Sequence, residues 1–159
     1  MTQRGLEIAN QFGKKLPSFA NQAKAEEYFF AYKDNHLSIL AEIASKQTKF
    51  LCDYSPESLK NLELWYFELY ENDSFYQFGV DREIFERCMA MYFGEVMIKN
   101  IEGAHWIIEE YAFTPSKYEL GVNKGLGAVM LNRWTDHFET PNNKRKQSIY
   151  REYKKFAEV

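Results

Sequence analysis

Glu95 is the residue whose position most invites chemistry. It falls on the stripe Ile84–Cys88–Met91–Glu95–Ile98, at helical spacing among apolar residues, beside Gly94. A carboxylate turned into packing needs a hydrogen-bond donor, or its pKa rises. Two readings follow. Glu95 with nearby His105 is a general acid/base pair at a helix–strand junction. Alternatively Glu95 is a structural anchor, satisfied by the indole N–H of Trp106, by His105, or by backbone amides. We take Glu95 and Trp106 as the anchor and expect no catalytic residue. Gly94 lacks a side chain and permits close approach of another element.

The remaining chemical candidates are weaker. His36, His105 and His137 are dispersed, and Cys52 and Cys88 form no CxxC motif, so no metal site is expected. There is no Gly-x-Ser-x-Gly elbow. Lys124-Gly125-Leu126-Gly127 fits neither a dinucleotide fingerprint nor a Walker loop and reads as a hairpin turn, so no cofactor is expected. Glu109 and Glu110 are neighbours on a presumed strand, face opposite ways and cannot form a dyad.

Charge is distributed unevenly. Residues 1–50 carry seven Lys and Arg against five Asp and Glu; residues 51–120 carry five against fourteen; residues 121–159 carry eight against four. The acidic middle segment repels phosphate and argues against a nucleic-acid groove there. It attracts basic proteins. Within it Asp53, Tyr54, Glu57, Glu63, Trp65, Glu68, Tyr70, Glu71 and Asp73 interleave acids with rings. Aromatic anchors surrounded by steering carboxylates suit a protein interface, and Asp53, Glu57, Glu68, Tyr70, Glu71 and Asp73 are the expected partner-binding set. The competing reading is core aromatics beneath a solvated acidic helix face.

Those residues need elements to position them. Met1–Asn21 is mixed, with Gly5, Gly13 and Pro17 interrupting a helix, and reads as a loose lead-in. Gln22 to Lys46 is helical, with Asn35 a break between two helices. Ser55-Pro56-Glu57-Ser58 is a helix start, Ser55 capping and Pro56 at the first helical position, and the helix runs to Glu71. Its apolar face is Leu59, Leu62, Tyr66 and Leu69, with Trp65 beside it. Phe75–Val80 is an aromatic linker. Asp81 caps a helix from Arg82 to Asn100 that is apolar around much of its girth and therefore central. His105–Phe113, Tyr118–Val122 and Ala128–Trp134 supply strands, the third alternatively a helix start. Asn142 or Asn143 caps a last helix whose Ile149, Tyr150, Tyr153 and Phe156 face one way. The expected class is α+β: several helices, a small antiparallel sheet and a C-terminal helix, in a single domain over 1–159.

The stretch from Asp53-Tyr54-Ser55-Pro56-Glu57-Ser58-Leu59 to Leu62-Glu63, then Met91-Tyr92-Phe93-Gly94-Glu95 and Gly103-Ala104-His105-Trp106, resembles a helix–helix–strand module of small bacterial proteins. Some of these look like immunity proteins of polymorphic toxin systems. The likeness covers residues 50–112. It implies a non-enzymatic binder of a toxin domain, and no catalytic residues come with it. No apolar run reaches the roughly 20 residues of a membrane span. The N-terminal stretch lacks a signal-peptide core, and with two cysteines a reducing, cytoplasmic setting is expected. The leading expectation is an acidic-faced binding protein with a basic protein partner. The alternatives are a small enzyme or ligand-binding domain using Glu95 and His105, or a homodimer that buries surplus aromatics.

Overall fold

The computed structural model describes residues 2–131 and 147–159. In chain order the elements are helices α1 (Gln3–Lys15), α2 (Gln22–Ala44) and α3 (Ser58–Glu71), a 3-10 turn over Phe75–Phe78, helix α4 (Arg82–Asn100), strands β1 (His105–Glu110), β2 (Tyr118–Lys124) and β3 (Gly127–Met130), and helix α5 (Ser148–Ala157). The class is α+β, as expected. Asn142, Asn143, Trp134 and His137 lie outside the described residues.

Local codes place several boundaries. The Asp81 carboxylate accepts the Ile84 N–H at 2.8 Å and starts α4 at Arg82. Asp53 accepts from the Ser55 N–H at 2.9 Å and from its hydroxyl at 2.7 Å, while Ser55 Oγ accepts the Ser58 N–H at 3.2 Å. Ser55 thus bonds the first amide of α3, but it is not the cap residue as expected: Pro56 and Glu57 form a preceding turn, α3 begins at Ser58, and Glu57 at the cap position gives no side-chain bond. The linker at Phe75 coils into a 3-10 turn that buries the Phe75 ring.

Two helical expectations are corrected. Residues Gln3–Lys15 are a helix rather than a loose lead-in. Thr2 Oγ1 accepts the Gly5 N–H at 2.9 Å, and the helix runs through Gly13 because a neighbour needs its bare Cα. A Cβ there would sit 2.1 Å from Thr114 Oγ1. Tyr111 stacks edge-on against Phe12 and donates its hydroxyl to the Ala9 carbonyl at 3.0 Å. Lys117 Nζ donates to the Leu16 carbonyl at 2.8 Å, covering the helix C-terminus. Tertiary packing here outweighs the propensity cost of two glycines. The break at Asn35 is likewise absent: α2 continues to Ala44, with Asn35 on its exposed side, where a weak helix former costs only tenths of a kcal/mol.

The sheet is antiparallel in the order β1-β2-β3, with His105 opposite Asn123 and Glu110 opposite Tyr118. β2 pairs with β3 from Gly121 opposite Met130 to Lys124 opposite Gly127, so the turn is Gly125-Leu126 and Gly125 takes φ 58°. α4 lies at the centre, touching α2, α3, α5, β1 and β2. Its Phe85, Met89, Tyr92, Phe93, Val96 and Met97 are fully enclosed. In α5, Ile149, Tyr153 and Phe156 face the core.

Candidate functional site

The outer face of α3 carries Asn61, Leu64, Glu68 and Glu71, with Glu57 one turn before. The spacing of three and four residues puts them on one stripe. Leu64 is 67% exposed at its centre. Around it, Glu57 pairs with Lys60 at 2.9 Å and accepts the Tyr150 hydroxyl at 3.1 Å, and these contacts, Lys60 first, hold its carboxyl below the usual range. Lys60 lies over the Tyr150 ring at 4.3 Å. Glu68 pairs with Lys49, which brings the loop bearing exposed Leu51 alongside. Glu71 and Asp73 are exposed at the end of the helix. Tyr70 is half-buried, with the Arg82 guanidinium 5.6 Å over its ring. Asp53 has its pKa lowered by the Ser55 backbone N–H first and the Ser55 hydroxyl second. It shapes the turn rather than the stripe.

Two members of the acid–aromatic series leave this face altogether. Trp65 is core, stacked on Phe50 and edge-on to Phe78 and Phe85. Glu63 is 2% exposed and reaches the start of α5. Its Oε1 accepts the Ser148 N–H at 3.0 Å and the Ser148 hydroxyl at 2.6 Å, with the Ile149 N–H at 3.4 Å. Gln147, at φ 61°, gives α5 no side-chain cap, so a carboxylate from α3 caps it instead. Glu86 is also buried; it accepts the Tyr66 hydroxyl at 2.6 Å and faces Arg82 at 3.4 Å. Burial and then this carboxylate push the Tyr66 hydroxyl far above its ordinary range. The sequence did hold a signal for Glu63: it stands at the i+4 position on the Leu59–Leu62–Tyr66 face, the same argument that singled out Glu95.

Glu95 is half-buried, and Trp106 Nε1 donates to its Oε2 at 3.2 Å. Lys99 stands 4.0 Å from the other oxygen. Gly94 admits the indole: a Cβ there would lie 2.2 Å from the Trp106 ring. His105 is exposed, with Nδ1 against the Gly103 carbonyl at 3.2 Å. Cys52 and Cys88 are free thiols, and burial pushes Cys88 up to about 12. Among the described residues no three His, Cys, Asp or Glu side chains come together as a metal site, and no helix is long and apolar enough to cross a membrane.

A separate cleft of about 690 Å³ lies between α1, α2, α4 and β2. Polar and apolar groups share its lining, over a floor of the buried Leu16, Phe29, Ala90, Met91, Leu120 and Leu131. Ile8 and Tyr28 stand at its walls, 57% and 46% exposed. Its charged groups are Lys15 from α1 and Glu83, Glu86 and Arg87 from α4. Arg87 donates to Glu83 at 2.5 Å. Tyr32, also in the wall, has its hydroxyl pushed up to about 12 by burial. Neither Glu95 nor His105 lines this cleft. Sequence reasoning did not find it, because the wall from Ile8 to Pro17 lies in the segment read as a loose lead-in.

Comparison with known proteins adds relationship without activity. A Bacillus subtilis (strain 168) protein described as "Uncharacterized protein YwmA" is 26% identical over 114 residues, 72% of each chain. No solved structure matches. The family model described as "Uncharacterised protein YwmA" matches residues 18–157, which takes in α2 through α5 and leaves α1 outside. With the fold from α2 to α5 inside that match, the chain belongs to the YwmA family.

Proposed function

We propose that this protein is a non-enzymatic binding protein whose α3 face receives a basic protein surface. The observation that carries the reading is Leu64, a large apolar side chain 67% exposed, in line with Glu57, Glu68 and Glu71 on one helix face. An apolar centre inside a charged rim is the layout of a protein interface, where the centre sets the off-rate and the rim steers encounter. The paired Lys49 and Lys60 hold their carboxylates in place and leave the stripe, with Glu71 and Asp73, net acidic. A basic toxin domain, neutralised in the manner of an immunity protein, is the partner class we favour.

The test is kinetic, with a candidate basic toxin domain as the immobilised partner. Reversing Glu57, Glu68 and Glu71 together to Lys should slow association at low salt, and the loss should shrink as salt screens charges beyond about 8 Å at physiological ionic strength. Leu64→Ala should instead raise the off-rate with little salt dependence. Unchanged association by the triple variant at low salt overturns the acidic-face reading. Failure of wild-type protein to protect cells expressing the toxin overturns the toxin assignment.

A further inference from the structure

The cleft beneath α1 has no part in the α3 face and is built differently. Its floor is closed by the buried side chains of Phe29, Met91, Leu120 and Leu131, and among its mixed polar and apolar walls Ile8 and Tyr28 stand open to water with Phe12 half-buried. Apolar groups held open to solvent around a concavity are covered at a gain of about 25 cal/mol per Å² by any ligand that fits. A volume of about 690 Å³ lies within the 300–1,000 Å³ typical of small-molecule sites.

The charges at the walls choose among apolar ligands. Glu86 is buried and engaged by the Tyr66 hydroxyl and Arg82, and exposed Glu83 accepts from Arg87 through Oε1. Only one N–H of the Arg87 guanidinium is committed to Glu83, and the ammonium of Lys15 meets no carboxylate among the described residues. The cleft therefore offers cationic donors from two walls, α1 and α4, beside the open apolar groups of Ile8, Phe12 and Tyr28. We propose that it binds an amphiphilic carboxylate, an alkyl chain lying along Ile8, Phe12 and Tyr28 with its carboxylate at Lys15 and Arg87. The α1 wall lies outside the YwmA family match, so the Lys15 half of the headgroup site is a feature of this chain rather than one carried by that match.

Dodecanoate, kept below its micelle-forming concentration, is the probe, and dodecylammonium of equal chain length is its charge control. Titration calorimetry on the full chain should give saturable dodecanoate binding about tenfold tighter than that of dodecylammonium. Lys15→Glu and Arg87→Gln, both at exposed positions, should each narrow that preference, and the double variant should abolish it while its circular dichroism stays that of wild type. Methyl resonances of Ile8, Met91, Leu120 and Leu131 should shift with dodecanoate, and those of Leu64 should not. Equal affinity for the two amphiphiles overturns the headgroup assignment. Absence of saturable binding, or shifts confined to residues outside the cleft, overturns the site. Saturable binding of an amphipathic peptide helix in its place, with dodecanoate failing to compete, assigns the cleft to a protein partner and overturns the small-molecule reading.

Discussion

Glu63→Leu should unfold the C-terminal helix's attachment while leaving α3 almost untouched. The carboxylate is buried and its Oε1 takes two strong donors from Ser148, with a longer contact from the Ile149 N–H. A hydrogen bond to a charged group contributes about 1.5–3 kcal/mol. A partly buried charge at a helix terminus contributes up to about 2 kcal/mol. Desolvation of the carboxylate offsets part of both, so leucine, which is similar in size and leaves the donors bare, should cost about 3–4 kcal/mol. Glu63→Gln keeps one carbonyl acceptor but loses the charge and places an amide among N–H groups, for a cost of about 1–2 kcal/mol. In a chain of this length each kcal/mol moves Tm by about 2–4 °C, so the drops should be about 6–16 °C and about 2–8 °C. Thermal melts by circular dichroism measure them, and amide exchange locates them: protection should fall first at Ile149–Phe156. A double-mutant cycle with Ser148→Ala should show coupling, because both changes remove the same 2.6 Å contact. A Leu variant that melts with wild type, or faster exchange spread evenly over α3 and α5, would refute a cap supplied across the fold.

Three further outcomes are expected. Gly94→Ala should cost about 1–3 kcal/mol, seen as a lower urea midpoint, because its methyl would lie 2.2 Å from the enclosed edge of the Trp106 ring. Glu95→Leu should lose the Trp106 hydrogen bond and cost about 1 kcal/mol, with Glu95→Gln, which still accepts it, close to wild type; tryptophan fluorescence should shift in the first variant only. Burial, opposed by the Tyr32 carbonyl and aided by Arg87, holds the His36 pKa below its ordinary 6.5. The folded chain then binds fewer protons than the unfolded chain just below pH 6.5; stability is full above that pH, falls with acidification and levels off below the folded pKa. Urea midpoints between pH 7.5 and 5 should trace that fall, and His36→Gln should flatten it.

Glu95 and Glu63 show where sequence reasoning reaches and where it stops. Both stand on apolar helix faces, and the donor to Glu95 was found because Trp106 follows only 11 residues later. The donor to Glu63 is 85 residues away, and nothing near Glu63 announces it. The acidic run from Asp53 to Asp73 therefore looked like a single surface, although the helix period turns Glu63 and Trp65 inward and leaves Glu57, Leu64, Glu68 and Glu71 outside. Leu64 stands opposite the Leu59–Leu62–Tyr66–Leu69 stripe, so its exposure follows from the helix period as well.

What the sequence by itself determined are the features made by neighbours in the chain. Asp81 and Ser55 act within three residues, the girdle of apolar side chains marks α4 as central, and Gly125 turns the hairpin. Short-range hydrogen bonds and steric limits fix these wherever the rest of the chain goes. Only the tertiary structure decided that α1 is a helix, since Tyr111, Thr114 and Lys117, about a hundred residues on, hold it together. With α1 in place there is a cleft, and with α5 in place there is a reason for a buried carboxylate on α3. Both depend on groups distant in sequence meeting at a few ångströms, where desolvation and hydrogen bonding act, and composition and periodicity carry no measure of that distance.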